Sequence, residues 1–237
     1  MKSKLWKSVC FVIMTLSMPM PDTALADDVT KEEADTIDAL IEELASPNDP
    51  KSLIRTSRYL TFPPDWNHKA QRQVSQAARS LVNKGRSAFP QMVARAGDNR
   101  FSFVSTSGNG AMSSRSVGYA CGTILEVQLD VFETTGVRPS YFWTVVEGEG
   151  KGDVNRAKWW EERKDKSLFE LQIESVEWAI EQHTQLRKDW RKKNVDKDDL
   201  KQLTEVIAAN KKTLSKLQST KQPIEPTVHP FKPDAHK

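Results

Sequence analysis

The chain has 237 residues, with 35 Lys and Arg against 32 Asp and Glu, so its formal net charge is +3. This near balance excludes a protein that attracts nucleic acid through its overall charge. Its two cysteines, Cys10 and Cys121, exclude a disulfide-rich scaffold, so stability has to come from an apolar core.

Residues 1–26 have the three parts of a secretory signal peptide. A lysine-rich start precedes a short apolar segment, and Ala24-Leu25-Ala26 places small residues before a cleavage site. The apolar segment has roughly ten residues, whereas a membrane-spanning helix needs about twenty. We therefore expect export to the periplasm or the extracellular space, cleavage near Ala26 and no transmembrane segment in the product. Cleavage removes three Lys and one Asp, which lowers the net charge to +1.

Helix caps and apolar spacing predict an all-α fold, with a helical domain at 30–192. The helix that begins after Ser116 is apolar on most sides, so it is expected to be the most buried, and Cys121 within it to be a buried small hydrophobe. The predicted N-caps are Thr30, Asp65, Ser116, Asp153 and Ser167.

Residues 77–98 resemble one HEAT-type unit, in which two antiparallel helices meet at a corner between Gly85 and Pro90. More broadly, residues 37–183 resemble a family of uncharacterised exported bacterial proteins with HEAT-like helices. The segments that match this family are 40–48, 116–121, 159–160, 165–168, 170–174 and 177–178. The resemblance implies an irregular array of helical hairpins and export, and it transfers no catalytic residue.

The segment 195–218 predicts an amphipathic helix with a heptad seam. Apolar residues recur at alternating steps of three and four, with one polar position. This helix either folds back on the preceding long helix or forms a homodimer, in which the asparagine would set the register. The seam residues are Leu200, Leu203, Ile207, Asn210, Leu214 and Leu217.

The C-terminal part has two further features. Residues 187–221 contain eleven Lys and Arg against five Asp and Glu, and are interpreted as a solvated helix pair or a surface that attracts anionic polymers. Residues 219–237 contain four prolines and no apolar period, which predicts a disordered tail.

Two polar segments, 99–115 and 133–153, are predicted as loops, the first with a brief strand at most. The sequence contains no Gly-x-Ser-x-Gly elbow and no Walker loop, and His183 has no ligand-type partner three or four residues away. No catalytic residue, metal site or cofactor is therefore predicted. A hydrolase-like site assembled from both loops is a second hypothesis, and it needs Arg115 or Tyr119 beside loop Ser, Asp or Glu side chains.

Tryptophan supplies the candidate binding residues. Trp159 and Trp160 point about 100° apart on a helix, so one of them is a candidate for an exposed ring, and Trp143 lies in the second loop. An exposed tryptophan can contact a ligand or a partner protein, whereas the alternative is that both helical rings are packed. The first functional hypothesis is an exported, non-catalytic interaction or scaffold module with a protein partner. The third is a binder of anionic envelope polymers through 187–221.

Overall fold

The structure of the chain is a computed structural model, and it describes residues 30–55, 60–106, 112–134, 140–148 and 152–226. The signal peptide at 1–26 lies outside the described residues, so export stays a prediction.

The described part of the chain is mainly helical, as expected, whereas a HEAT-like array stays a prediction. Two short antiparallel ribbons are added to the helices, β1 with β2 and β3 with β4. The elements in chain order are α1 (Lys31–Glu42), β1 (Ile54–Arg55), β2 (Leu60–Thr61), α2 (His68–Lys84), α3 (Phe89–Ala94), β3 (Phe101–Thr106), β4 (Met112–Ser116), α4 (Val117–Leu129), α5 (Gly152–Glu161), α6 (Leu168–Lys192) and α7 (Lys197–Thr220).

Helix α4 is the central helix, as its apolar sequence predicts. It packs against α2, α3, α6 and the β3–β4 ribbon. At Gly118 the backbone of the preceding segment comes so close that an added Cβ would lie 2.1 Å from the Ala96 carbonyl oxygen. The Cys121 side chain is fully buried, and burial raises the pKa of its thiol to about 12. This cysteine is therefore a core residue, as expected.

Three of the predicted N-caps are confirmed and two are wrong. Thr30, Ser116 and Ser167 precede their helices, and the Glu170 carboxylate accepts a 2.7 Å hydrogen bond from the Ser167 backbone N–H. Helix α2 is capped by Asn67, whose Oδ1 accepts from the Ala70 N–H at 2.9 Å, and not by Asp65. Helix α5 already includes residue 153.

The predicted loop at 99–115 is instead an antiparallel β-hairpin. Strand β3 pairs with β4 so that Phe103 lies opposite Arg115, with an irregularity between residues 101 and 103. Strand β3 alternates apolar and polar residues only at Phe101-Ser102-Phe103, and the polar residues of 99–115, chiefly serines, outweigh this signal. Because Phe103 packs against the core, tertiary contacts compensate for the weak strand propensity.

Residues 133–153 contain a further helical segment, which the sequence prediction of a loop missed. Residues Phe142–Val146 form one turn of π-helix, which follows Tyr141 in helical conformation. We call this segment the π-turn. Both Phe142 and Val146 are fully buried, so the turn is a part of the core rather than a surface loop.

The heptad seam of α7 packs within the chain, because α7 folds back antiparallel along α6. Leu203, Ile207, Asn210 and Leu217 are buried, and Leu200 and Leu214 are partly exposed. Asn210 is hydrogen-bonded within the chain. Its side chain accepts from the Glu133 N–H at 2.7 Å and donates to the Glu133 carbonyl at 3.0 Å. A homodimer through these six residues would require α7 to leave α6.

The predicted disorder of 219–237 is wrong for its first part. Helix α7 continues to Thr220, and in the segment 221–226 that follows it Ile224 packs against the core. Residues 227–237 lie outside the described residues.

No helix within the described ranges has the length and apolar character that crossing a membrane requires.

Candidate functional site

Trp159 and Trp160 are both buried, so both helical rings are packed, which is the alternative that the sequence favoured, and neither supplies an exposed ring for binding. Their exposed fractions are 3% and 9%. The two ring centroids lie 6.3 Å apart, with 36° between the ring planes, and each ring contacts a different neighbour. The Trp159 Nε1 donates to the Tyr141 hydroxyl at 3.2 Å, while the Trp160 ring lies 5.9 Å from the Phe89 ring of α3.

Trp143 is the member of the predicted set that remains partly exposed. Its ring stacks on Tyr119, with centroids 5.2 Å apart and an interplanar angle of 26°. The Arg115 guanidinium lies over the other aromatic ring of this pair, 4.2 Å from the Tyr119 centroid. Arg115, Tyr119 and Trp143 are all partly exposed. We call these three residues the aromatic–arginine face.

Each member of the face comes from a different element. Arg115 is on β4, where its Nε donates to Ser105 Oγ on β3 at 2.7 Å. Tyr119 follows in the first turn of α4, and its backbone N–H donates to the Ser116 cap. Trp143 belongs to the π-turn, and its backbone N–H donates to Ser140 Oγ at 3.2 Å. The β-hairpin and the π-turn are thus joined through α4.

A buried ion pair lies beneath the π-turn. The Arg156 guanidinium of α5 contacts Glu147 through both Nε and Nη2, and the two residues are 3% and 8% exposed. The remaining terminal nitrogen of Arg156, Nη1, donates to the Gly118 carbonyl of α4 at 2.9 Å. Arg156 also lies 5.4 Å from the centroid of the Phe142 ring. This pair therefore joins α5, α4 and the end of the π-turn.

Two carboxyl groups, those of Asp130 and Glu126, lie next to Ser140 at the start of the π-turn. Ser140 Oγ lies 2.7 Å from an Asp130 oxygen and 3.2 Å from a Glu126 oxygen, and the Phe142 N–H donates to Asp130 at 3.3 Å. Burial, with a further contribution from Glu126, raises the pKa of Asp130 to about 7, although the bonds from Ser140 and Phe142 act in the opposite direction. Asp130 is therefore largely protonated below neutral pH.

Glu174 of α6 is partly buried and is bound by three side chains. Its carboxylate accepts from Tyr141 at 2.5 Å, Arg163 at 2.8 Å and Lys166 at 2.6 Å. Burial raises the pKa of Glu174, but these hydrogen bonds outweigh burial and lower it overall. Burial and the Glu174 carboxylate together raise the pKa of Tyr141. The cluster links the segment between α5 and α6 to α6 itself and to the residue before the π-turn.

The hydrolase hypothesis required the two predicted loops to form a concave site. They do meet, through the Arg115–Tyr119–Trp143 stack, but the two serines next to it, Ser105 and Ser140, have structural partners. Ser105 Oγ accepts from Arg115, and Ser140 Oγ donates towards carboxylates rather than to a histidine. Depressions of about 670 and 280 Å³ are lined by residues of α1 and α6 and by none from the two loops.

Across the described ranges, no three His, Cys, Asp or Glu side chains are grouped so that they could hold a metal ion. His183 is fully buried in α6, and burial lowers its pKa, so the neutral imidazole is favoured.

No protein-family model, curated protein or solved structure matches this chain. The resemblance of 37–183 to exported HEAT-like proteins thus stays a prediction, and the functional argument depends on the geometry of the residues themselves.

Sequence reasoning identified Trp143 but did not connect it to Arg115 and Tyr119 as one surface. In the sequence, Arg115 and Tyr119 are candidates only for a hydrolase-like site. The available signal was their spacing of four residues across the Ser116 cap, but nothing local shows that Trp143, 24 positions after Tyr119, stacks on the same ring.

Asp130 makes the stability of the protein depend on pH. Between about pH 4 and 7, the folded state keeps a proton on Asp130 that the unfolded chain has lost, so a rising pH favours unfolding. Above about pH 7 Asp130 is ionised in both the folded and the unfolded state, and its contribution to the free energy of unfolding is constant.

We expect Asp130→Asn to raise the melting temperature relative to the wild type at pH 8 and to leave a smaller difference at pH 5. Melting curves at both values test this, with Asp165→Asn, an exposed substitution, as the control. A pH-independent difference would contradict the assignment.

Proposed function

We propose that this chain is an exported, non-catalytic interaction module that binds a partner protein through the aromatic–arginine face. The observation that carries the proposal is the partly exposed stack of Trp143 on Tyr119 with Arg115 over it. Export comes from the predicted signal peptide at 1–26.

The composition of the face supports a protein partner. Trp, Tyr and Arg are the residues most enriched at the energetic centres of protein interfaces, because each combines a large contact area with a polar group. Arg115 retains polar hydrogens beyond the one that it donates to Ser105, since a guanidinium has five N–H donors. These donors suit backbone carbonyls or carboxylates of a partner.

The support beneath the face favours binding without rearrangement. The Tyr119 and Trp143 backbones are both held by serine side chains, and Glu147, which ends the π-turn, is paired with buried Arg156. Ordering rotamer-rich side chains on binding costs about 0.5–1.5 kcal/mol each, so rings that are already stacked keep this cost low.

Capture of a partner by the mature chain tests the proposal. The immobilised protein is incubated with the extracellular or periplasmic fraction of its own source, and captured proteins are quantified by mass spectrometry. A partner that depends on the face should be reduced at least tenfold by Trp143→Ala or Arg115→Ala, since the truncation of an interface anchor costs about 2 kcal/mol or more.

The matched control is Trp190→Ala, which removes a partly exposed tryptophan near the far end of α6. It should leave capture unchanged. If every captured protein responds equally to Trp143→Ala and Trp190→Ala, or to neither, the aromatic–arginine face is not the binding surface.

The α6–α7 hairpin supports a second candidate function, the binding of anionic envelope polymers through residues 187–221. Residues 187–221 contain eleven basic side chains, of which ten are exposed. None of the eleven makes an ion pair with another residue in the described ranges. Cations without an internal partner are available to a polyanion, and such binding weakens as salt rises.

Elution from an immobilised polyanion such as heparin separates a local site from overall charge. Changing Lys192, Lys193 and Lys197 to Gln should lower the salt concentration at which the protein elutes. Changing Lys31, Lys51 and Lys69 to Gln alters the net charge equally but should have a smaller effect, since these exposed lysines lie elsewhere. Equal shifts would contradict a site on the hairpin.

A further inference from the structure

The segment that follows α7 is held against the body of the protein by one apolar residue. Lys221 ends the helix in a left-handed conformation, with φ of 51°, and the chain leaves the helix axis there. Three residues later, Ile224 packs against the core as a partly buried residue, whereas Gln222, Pro223 and Glu225 around it are exposed.

The main chain of Ile224 is bound by a buried glutamine. Gln172 Oε1 accepts from the Ile224 N–H at 2.8 Å, and Gln172 Nε2 donates to the Ile224 carbonyl at 2.9 Å. The same amide nitrogen donates to the Gln128 carbonyl of α4 at 2.9 Å. Because Gln172 is fully buried, its amide is fixed between α4 and this segment. We call Gln172 with the apolar contact of Ile224 the amide clamp.

The amide clamp is selective for backbone conformation. A side-chain amide that pairs with both the N–H and the carbonyl of one residue reproduces the hydrogen-bond pattern of a neighbouring β-strand. The bound residue therefore needs a free N–H, which excludes proline at that position. An apolar side chain is also required, because Ile224 packs on the core.

The residues on either side of Ile224 favour an extended chain. Pro223 and Pro226 fix their own φ angles near −65° and disfavour helix in the residues before them. A segment with this pattern loses little conformational freedom when it is bound. The pattern is proline, an apolar residue, any residue and proline, and here it is Pro223-Ile224-Glu225-Pro226.

We propose that the amide clamp is a recognition site for an extended peptide of this Pro-apolar-x-Pro pattern in a partner protein, and that the chain's own residues 223–226 occupy it in competition. Within the described residues, two hydrogen bonds to Gln172 and the packing of Ile224 hold the segment. A peptide with the same pattern can make the same interactions in its place. This surface differs from the aromatic–arginine face, and the inference does not rest on the function proposed for that face.

Fluorescence anisotropy with a synthetic peptide tests the proposal on the full-length chain. The probe is a labelled peptide with the sequence of residues 219–226. Ile224→Asp and Ile224→Gly each release the chain's own segment, one with a charge and one without. Both variants should bind the probe at least tenfold more tightly than the wild type, because in the wild type the attached segment competes at high effective concentration.

Two control peptides separate the hydrogen bonds from the apolar contact. A peptide with N-methylated isoleucine lacks the N–H that donates a hydrogen bond to Gln172. A peptide with aspartate at that position lacks the apolar side chain. Neither should bind. The full-length Glu225→Ala variant, which changes an exposed residue, should behave as the wild type.

The proposal is overturned if the two Ile224 variants keep their helical circular dichroism but bind the probe no better than the wild type. Equal binding of the N-methylated peptide would also overturn it. Loss of helical structure in both variants would do the same, because Ile224 would then be a permanent part of the core rather than an exchangeable ligand.

Discussion

The buried ion pair between Arg156 and Glu147 is the interaction on which the arrangement of the candidate face depends. Taking two charges out of water is costly, and only close geometry with further hydrogen bonds offsets that cost. Arg156 meets this requirement, since it contacts Glu147 and also donates to the Gly118 carbonyl. The pair thereby fixes α5 against the start of α4 and the end of the π-turn.

The absence of a side chain at two positions of α4 makes this geometry possible. An added Cβ at Gly118 would lie 2.1 Å from the Ala96 carbonyl oxygen, and one at Gly122 would lie 2.7 Å from Arg156 Nη2. The preceding segment and the guanidinium can therefore approach the helix closely. Tyr119, between these glycines, is left on a more exposed side of α4, where Trp143 stacks on it. Close packing on one side of α4 and the aromatic–arginine face on another thus share one cause.

Local signals in the sequence predicted most of the helices but not the surfaces that they form. Capping serines and apolar spacing are short-range features, so Ser116 and Ser167 were assigned correctly. The exposure of a tryptophan depends instead on what packs over it. Trp159 and Trp160 lie between Tyr141 and Phe89, which are distant in sequence, and no local pattern shows this. Similarly, the proline-rich segment after α7 lacks an apolar period but contains the one residue that a distant glutamine binds.

The most direct test of this account is the near-ultraviolet circular dichroism spectrum of Glu147→Gln. This change leaves Arg156 buried without its counter-charge, which costs about 3–5 kcal/mol in comparable buried pairs. We expect the aromatic signal that depends on Trp143, identified from the Trp143→Phe difference spectrum, to be lost while the far-ultraviolet helical spectrum is retained. A near-ultraviolet spectrum identical to that of the wild type would contradict the claim that the ion pair positions the aromatic–arginine face.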